Sequence, residues 1–402
     1  MKRLKELKMK KSKVIRGLFV GDGGVASGFA RVMESIIQYL PDNYEAHHLA
    51  VNYTGDPYKT NKNHLMYPAR NGGDLLGIKR IENLIENIKP DFIFILNDPW
   101  VINDYLTRIP KGQTVIAYTP VDAEHLHKGW VENLSKIDQL IVYTEFGKNE
   151  YLRKKPDFEN IKVIPHGTDL SKFYPIDKIE ARKKIGLPED AFIVFNGNRN
   201  QPRKRVDLTL KAFAKFAEGK PENVLLHLHM GMVDAGYHVL ELANRYGIGD
   251  RVKMTNPKLS PGNHVSEEDL NRIYNSMDAG LNTSMGEGWG LVNVEHACCK
   301  VPQVVPNFSA TKEIFEPNMA LHINYERTEP HLGILTEGCI IDIDHAAECM
   351  ERLYQDRELG KSLAENAYNK FTRKEYTWKS VSNEFLKVFE EVLSRPKKEE
   401  IK

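Results

Sequence analysis

Short apolar segments that alternate with amphipathic helical segments constrain the fold of this chain more than any other feature. The first unit joins the apolar run "KVIRGLFVG" (13–21) to a glycine loop, "DGGVASG", and to a helical pattern, "FARVMESIIQYL". The strand pattern then recurs in "KPDFIFILND", "QTVIAYTPVD" and "IDQLIVYTEFG", with helical segments such as "IKRIENLIENI" among them. Strands that are apolar throughout and separated by helices predict a parallel sheet covered on both faces.

A second cycle of the same kind begins at "DAFIVFNGNRN". It continues through the strand-like segments "VLLHLHMG", "RVKMTNP", "DAGLNTS" and "VPQVVPN". From "IDHAAECMERLYQD" onward the pattern is helical and ends in an amphipathic helix, "TWKSVSNEFLKVFEEVLS". A chain of 402 residues is long for one core and suits two domains. The sequence therefore predicts two α/β halves that meet near residues 170–190.

Composition narrows the class of protein. With 41% hydrophobic and 28% charged residues and a net charge of +1, the chain is typical of a globular protein, and no global field favours nucleic acid. No apolar run approaches the roughly 20 residues that span a bilayer. Four cysteines without metal-ligand spacing indicate reduced thiols and a cytoplasmic protein. The basic segment "MKRLKELKMKKSK" predicts a solvated extension, with a weak contact to an anionic membrane surface as the alternative.

The glycine-rich stretch "SMGEGWGLVNVEHACC" (284–299) follows a predicted strand and runs into a predicted helix. The N–H groups at a helix N-terminus suit a phosphate, and Gly288 and Gly290 let backbone approach a ligand. Glu287 and Glu295 can face the same pocket, where carboxylates would accept hydrogen bonds from vicinal hydroxyls. A phosphate together with sugar hydroxyls describes a nucleotide sugar. The alternative is a glycine turn with two solvated glutamates.

A basic loop, "FNGNRNQPRKRVDL", follows the first strand of the second half. Arg199 and Lys204 lie five residues apart in it, and cations there would neutralise a diphosphate. Arg203 and Arg205 add to the positive charge, and the alternative is a basic surface loop.

Two further motifs are less informative about function. The glycines of "GDGGVASGFAR" do not fit the dinucleotide fingerprint G-x-G-x-x-G, so Gly23 and Gly24 are assigned to a loop that faces the cleft between the halves. The D-x-D of "IDID" (341–344) precedes a helical pattern and is interpreted as a helix cap rather than a metal site.

Taken together, these motifs resemble the retaining glycosyltransferases of the GT-B fold, and family 4 most. Glu287 and Glu295 form the family's E-x7-E pattern, and "GGVASGFARV", "PHGTDLSKFYP", "GNRNQPRKRVDLTLKAF" and "EYTWKSVSNEFLKVFEEVL" match in the right order. The resemblance implies two Rossmann-like domains that face a cleft, at 14–175 for the acceptor and 176–375 for the donor. It also implies a C-terminal helix, 376–395, that crosses back to the N-terminal domain.

The resemblance also implies roles for individual residues. Glu295 would hold the ribose hydroxyls and Glu287 the transferred sugar, while Arg199 and Lys204 would stabilise the departing diphosphate. The other implied donor-site residues are Gly288, Trp289, Gly290, Leu291, Gly23, Gly24, Asn198 and Lys253. No metal or other cofactor is expected, since the helix dipole and the cations replace it.

The catalytic position of the N-terminal domain is left open. Many members carry a histidine at the end of the fourth strand, where this chain reads "AYTPVDAEHLH". Asp122, His125 and His127 are the candidates, with Asp122 placed at the strand end. A helix cap and ordinary surface histidines are the alternative.

The sequence thus predicts a retaining hexosyltransferase that uses a nucleoside-diphosphate sugar. GDP-mannose is placed first and UDP-glucose or UDP-N-acetylglucosamine next, and the acceptor (glycan, lipid, protein or small molecule) and the oligomeric state are left open. The alternatives are a sugar-nucleotide epimerase on the same fold and a non-catalytic subunit that binds nucleotide sugars.

Overall fold

The computed structural model describes residues 13–61, 63–70, 72–260 and 262–396. Apart from Lys13, the basic N-terminal segment for which a membrane contact was considered lies outside the described residues. None of the described helices combines the length and the apolar composition that a membrane crossing requires.

The first half is built on one sheet, which has eight strands among the described residues. These are β1 (Ile15–Asp22), β2 (Tyr44–Val51), β3 (Tyr58–Asn61), β4 (His64–Pro68), β5 (Phe92–Leu96), β6 (Val115–Thr119), β7 (Gln139–Val142) and β8 (Ile161–Val163). Their order is β3-β4-β2-β1-β5-β6-β7-β8, and every neighbouring pair is parallel except β3 with β4. The helices are α1 (Gly28–Gln38), α2 (Arg80–Ile88), α3 (Pro99–Leu106), α4 (Lys128–Leu134) and α5 (Glu145–Lys154). Every residue of β5 and β6 is buried, as strands covered on both faces require.

The second half repeats this plan. The described strands of its parallel sheet are β9 (Phe192–Asn196), β10 (Val224–Leu228), β11 (Val252–Met254), β12 (Ala279–Leu281), β13 (Gln303–Pro306) and β14 (Ala320–Ile323), in the order β11-β10-β9-β12-β13-β14. Strands β15 (Tyr325–Pro330) and β16 (Glu337–Ile341) form a separate antiparallel hairpin. The helices are α6 (Lys178–Ile185), α7 (Val206–Ala217), α8 (Val239–Arg245), α9 (Glu267–Asn275), α10 (Leu291–Cys298), α11 (Ser309–Ile314), α12 (Ile343–Gln355), α13 (Arg357–Phe371) and α14 (Trp378–Ser394).

Helix α14 packs on the first sheet, although the helix before it belongs to the second half. The Phe389 ring lies 5.4 Å from that of Phe94 on β5, and 4.7 Å from that of Phe92. Ser382 donates from Oγ to the carbonyl of Ser35 on α1 at 3.2 Å. The expectation of a helix that crosses back to the first half is thus confirmed.

Two details differ from the sequence prediction. Strand β6 ends at Thr119, so Asp122 lies three residues into the following loop rather than at the strand end. The hairpin β15–β16 was not predicted, because "YERTEP" is mostly exposed and carries no apolar alternation. The domain limits at 175/176 and 375/376 stay predictions.

Candidate active site

The basic loop after β9 and the glycine loop after β12 lie side by side, because β9 and β12 are neighbours in the second sheet. Backbone bonds join them directly: the Met285 N–H donates to the Arg203 carbonyl at 2.8 Å. Thr283 donates from Oγ1 to the Arg205 carbonyl at 3.0 Å, and Thr209 on α7 bonds the same hydroxyl at 2.6 Å. The two predicted motifs therefore form one continuous surface at the carboxyl edge of the sheet.

Lys204 and Glu287 form a buried ion pair at the centre of this surface. The Lys204 ammonium lies 2.5 Å from Glu287 Oε1, and the side chains are 9% and 7% exposed. Asn282 and Ser284 also donate to Oε1, at 3.1 and 3.0 Å. All three donors use the same oxygen, so Oε2 has no donor among the described residues and is free to accept one from a ligand.

Burial and the pair's own charges set the protonation of these two groups. Burial, reinforced by the neighbouring Arg203 guanidinium, lowers the pKa of Lys204 to about 8, although Glu287 opposes this. Burial alone would raise the pKa of Glu287, but the charges of Lys204 and Arg203 hold it below its ordinary value. The pair is therefore ionised at neutral pH, with a lysine whose proton is held less firmly than usual.

A buried amide chain, which the sequence analysis did not recognise as a unit, holds Glu287 in place. Asn282 donates through Nδ2 to Glu287 and to Asn293 Oδ1, the latter at 2.8 Å. The predicted donor-site residue Asn198 donates to Asn282 Oδ1 at 3.1 Å. Gln303 accepts from Asn293 at 2.9 Å. The sequence signal was the position of Asn198 and Asn282 just beyond the ends of two strands.

The glycines of the loop serve two purposes. Gly290 has φ +86° where the loop turns into α10 at Leu291, a conformation that other residues adopt only with strain. Gly286 and Gly288 lie against the first half: a Cβ on Gly286 would be 1.7 Å from the Asp122 carbonyl oxygen. A Cβ on Gly288 would be 2.6 Å from Pro120 Cβ. Close approach of the two halves thus requires glycine at both positions.

Trp289, between these glycines, is 5% exposed and faces the first half. Its ring lies 5.6 Å from that of His166, which the sequence analysis noted only as part of "PHGTDL". Burial lowers the pKa of His166 to about 3, and its Nδ1 bonds the Tyr118 hydroxyl at 2.7 Å. His166 is therefore a neutral packing partner under the glycine loop.

Asp122, a candidate for the catalytic position of the first half, contacts the second half of the protein. Its Oδ2 lies 3.1 Å from Nη1 of Arg203, and that same nitrogen donates to the Gly286 carbonyl at 3.2 Å. His125 and His127 are both exposed. The His127 ring caps α4 by accepting from the Gly129 N–H at 3.2 Å, so it serves its own helix.

Asp98 is a cleft residue that the sequence analysis did not select. It follows β5, the neighbour of β6 in the sheet, and its side chain does not cap α3. Burial and the Asp122 carboxylate raise the pKa of Asp98 to about 7, against the opposing charge of Arg203 and with a further contribution from Asp22. Its place at a strand end was the available signal, and only the packing of β1, β5 and β6 reveals that three carboxylates share this edge.

Glu295, on the first turns of α10, is 6% exposed and held on both oxygens. Arg31 of α1 forms an ion pair with Oε1, and the Tyr274 hydroxyl donates to Oε2 at 3.1 Å. A residue predicted to bind ribose is thus bonded across the cleft to the first half.

Four other predicted positions lie less centrally. Arg199 makes a bidentate pair with Asp234, at 2.6 and 3.1 Å, and its side chain is 52% exposed. Lys253 is exposed and donates to the Asp250 carbonyl, apart from the residues above. Gly23 and Gly24 form the loop after β1, where Gly24 has φ +63° and donates through its N–H to Glu34 at 3.2 Å.

This arrangement can bind an anion and hydroxyl groups together. Arg203 and Lys204 supply positive charge beside the glycine loop, and Glu287 supplies a carboxylate oxygen within the same cleft. No group of three or more histidine, cysteine or acidic side chains in the described part of the chain is arranged to hold a metal ion.

Comparisons with known proteins give the family and the fold that this chain resembles. Residues 177–370 match the family described as "Glycosyl transferases group 1". Sucrose-phosphate synthase from Thermosynechococcus elongatus superposes with a TM-score of 0.74 at 15% identity, over 95% of this chain and 100% of that one. Anabaena HepE, in complex with UDP and glucose, superposes with a TM-score of 0.69 at 15% identity, over 94% and 100% of the two chains.

Curated relatives match over a smaller part of this chain than the solved structures do. The D-inositol 3-phosphate glycosyltransferase 2 of Catenulispora acidiphila is 31% identical over 175 residues, 42% of this chain and 39% of that protein. The D-inositol 3-phosphate glycosyltransferase of Stackebrandtia nassauensis is 25% identical over 249 residues, 60% and 51% of the two chains. The chain thus spans between about two fifths and half of the length of these relatives. The chain carries a glycosyltransferase group 1 domain within a GT-B fold of two Rossmann-like halves.

Proposed function

We propose that this protein is a retaining glycosyltransferase that moves a hexose from a nucleoside-diphosphate sugar to an acceptor hydroxyl. The observation that carries the proposal is the buried Lys204–Glu287 pair, set between a basic loop and a glycine loop at one sheet edge. A cation for the diphosphate and a carboxylate for the sugar are thereby held side by side. The family of residues 177–370 and the names of the curated relatives support the same activity.

The cationic and the acidic residues of the site have different proposed roles. Lys204, with Arg199 and Arg203, would stabilise the negative charge that develops on the departing diphosphate while the sugar becomes oxocarbenium-like. Oε2 of Glu287 would accept a hydrogen bond from a hydroxyl of the transferred sugar, and Glu295 would hold the ribose. A phosphate oxygen of the leaving group would take the acceptor's proton, so the proposal needs neither a protein base nor a metal ion.

The donor is the part of the proposal that most needs measurement. GDP-mannose is our first donor, and UDP-glucose and UDP-N-acetylglucosamine follow. HepE is described in complex with UDP and glucose, which puts UDP-glucose beside GDP-mannose in a screen. The curated relatives are named for D-inositol 3-phosphate, so inositol phosphates belong among the acceptors tested.

The test is a thermal-shift screen with GDP, UDP, ADP and their sugars, followed by transfer assays with the nucleotide that binds. A ligand at 100 times its Kd stabilises the folded state by about 2.7 kcal/mol, which is readily measured. Proton NMR of the first product reports the anomeric configuration, and we expect it to be that of the donor.

Two variants connect the activity to the site. Glu287→Gln should lower the transfer rate by at least tenfold, while Glu384→Gln, at an exposed pair on α14, should not change it. The proposal is wrong if no nucleotide stabilises the protein at millimolar concentration, or if Glu287→Gln transfers sugar at the wild-type rate.

A further inference from the structure

The ion pair between Arg31 and Glu295 joins residues 264 positions apart and crosses the cleft. Arg31 lies on α1 of the first half, and Glu295 lies on α10 of the second. Their side chains are 28% and 7% exposed, so water screens the pair only in part. A Cβ on Gly28 would lie 3.3 Å from Leu291 Cδ1, so the first turns of the two helices also meet.

The two donors to Glu295 come from opposite sides of the cleft. Tyr274, on α9 of the second half, donates to Oε2 at 3.1 Å and is 2% exposed, so it belongs to the support of Glu295. Arg31 comes from the other half, the side from which a ligand between the halves would approach. Its guanidinium also lies 5.2 Å from the centre of the Phe173 ring, which fixes its direction.

We propose that Arg31 controls donor affinity by exchange at Glu295, where the ribose diol of the nucleotide replaces its guanidinium. This inference rests on the proposed function, because it takes Glu295 as the ribose-binding residue. A ribose diol needs two acceptor positions on one carboxylate, and Arg31 holds one of the two oxygens. Each carboxylate oxygen can accept more than one hydrogen bond, so the Tyr274 bond can persist when the diol binds. The Arg31 guanidinium, however, reaches Oε1 from the side on which the nucleotide would lie, so it must move away before the diol can reach Glu295.

This exchange lowers the apparent affinity for ribonucleotides. A ligand that binds only the released form of Glu295 has its apparent Kd multiplied by the reciprocal of the released fraction. An ion pair with one partner buried and one partly exposed is stronger than a surface pair, so we expect a released fraction of about one tenth. Removing the guanidinium should consequently tighten binding about tenfold.

The experiment measures Kd by calorimetry for the ribonucleoside diphosphate that the screen identifies and for its 2′,3′-dideoxy analogue. Arg31→Met removes the charge and keeps an apolar stem against Phe173. Arg16→Met is the matched control, because Arg16 lies in the same half and pairs with Glu45 at 3.3 Å, with 51% and 44% exposure. Arg31→Lys keeps a charge without the guanidinium fork and tests the same point if Arg31→Met folds poorly.

We expect Arg31→Met to bind the ribonucleotide about tenfold more tightly than the wild type, and Arg31→Lys about threefold. Arg16→Met should match the wild type. The dideoxy analogue should show no gain, because it does not require release of Glu295. Unchanged or weaker ribonucleotide binding by both Arg31 variants would overturn the inference and leave the proposed function standing, as would an equal gain for the analogue. Failure of every nucleotide to bind wild type and variants alike would overturn both.

Discussion

Substituting Glu287 by glutamine tests the ionisation of the buried pair through its effect on stability. The substitution keeps the shape of the side chain and its bonds to Asn282 and Ser284, but it leaves the Lys204 ammonium without its counter-charge. Removing one member of a buried ion pair destabilises a protein by about 3–5 kcal/mol. Because Lys204 can shed its proton instead, we expect the lower limit, about 3 kcal/mol at pH 6.

The pH dependence follows from linkage. With Glu287 present, the pKa of Lys204 is about 8, against 10.5 for an ordinary lysine. Between these values the unfolded chain holds a proton that the folded protein lacks, so Lys204 makes the wild type more stable as pH rises. In Glu287→Gln the pKa of Lys204 is lower still, so the pH range over which Lys204 makes the protein more stable with rising pH begins at a lower pH. The difference in free energy of unfolding between the wild type and Glu287→Gln should therefore decrease as the pH rises to 8 and stay constant above it. The decrease should be about 1.4 kcal/mol for each unit by which the substitution lowers the pKa of Lys204.

Urea unfolding followed by tryptophan fluorescence at pH 6 and pH 9 measures this difference. Glu384→Gln serves as the control, since its pair with Lys387 is 54% and 69% exposed and should contribute less than about 0.5 kcal/mol at either pH. The reasoning fails if Glu287→Gln lowers the free energy of unfolding equally at both pH values. It also fails if, at pH 6, Glu287→Gln lowers it no more than Glu384→Gln does.

Three further outcomes follow from the same contacts. Wild-type kcat/KM should fall about tenfold per pH unit above pH 8, since Lys204 must be protonated to meet a diphosphate, and a profile flat to pH 9.5 would contradict this role. Transfer should be unchanged by EDTA, and its loss with recovery on adding Mg²⁺ would show that a metal ion takes part. Gly286→Ala should reduce transfer by more than tenfold, because its Cβ would lie 1.7 Å from the Asp122 carbonyl oxygen. Gly262→Ala, with open space around its Cβ, is the control for that activity, and equal rates in the two variants would exclude the contact.

The local patterns of the sequence were sufficient to predict the architecture. Apolar strand runs with intervening helices predict parallel sheets because strand burial and helix amphipathicity are properties of neighbouring residues. Neighbouring residues were also sufficient to predict the helix that starts at Leu291. They likewise predicted the helix cap at Asp342, which accepts from the N–H groups of Asp344 and His345 at the start of α12. The hairpin β15–β16 could not be predicted, since its first strand is mostly exposed and carries no apolar alternation that would mark it as a strand.

The partners of the site residues depended on tertiary structure. The sequence singled out Glu287, Glu295 and Lys204 from glycine, charge and spacing, and it placed Glu287 and Lys204 on strand-end loops and Glu295 on the helix that follows one of them. It did not indicate that Glu287 pairs with Lys204, 83 positions away, or that Arg31 of the first half reaches Glu295. Ion pairs and shifted pKa values arise from distance and burial in space, which chain spacing does not encode. The sequence by itself determined which groups are present at the carboxyl edge of each sheet, and only the packing of the two halves decided which charges meet.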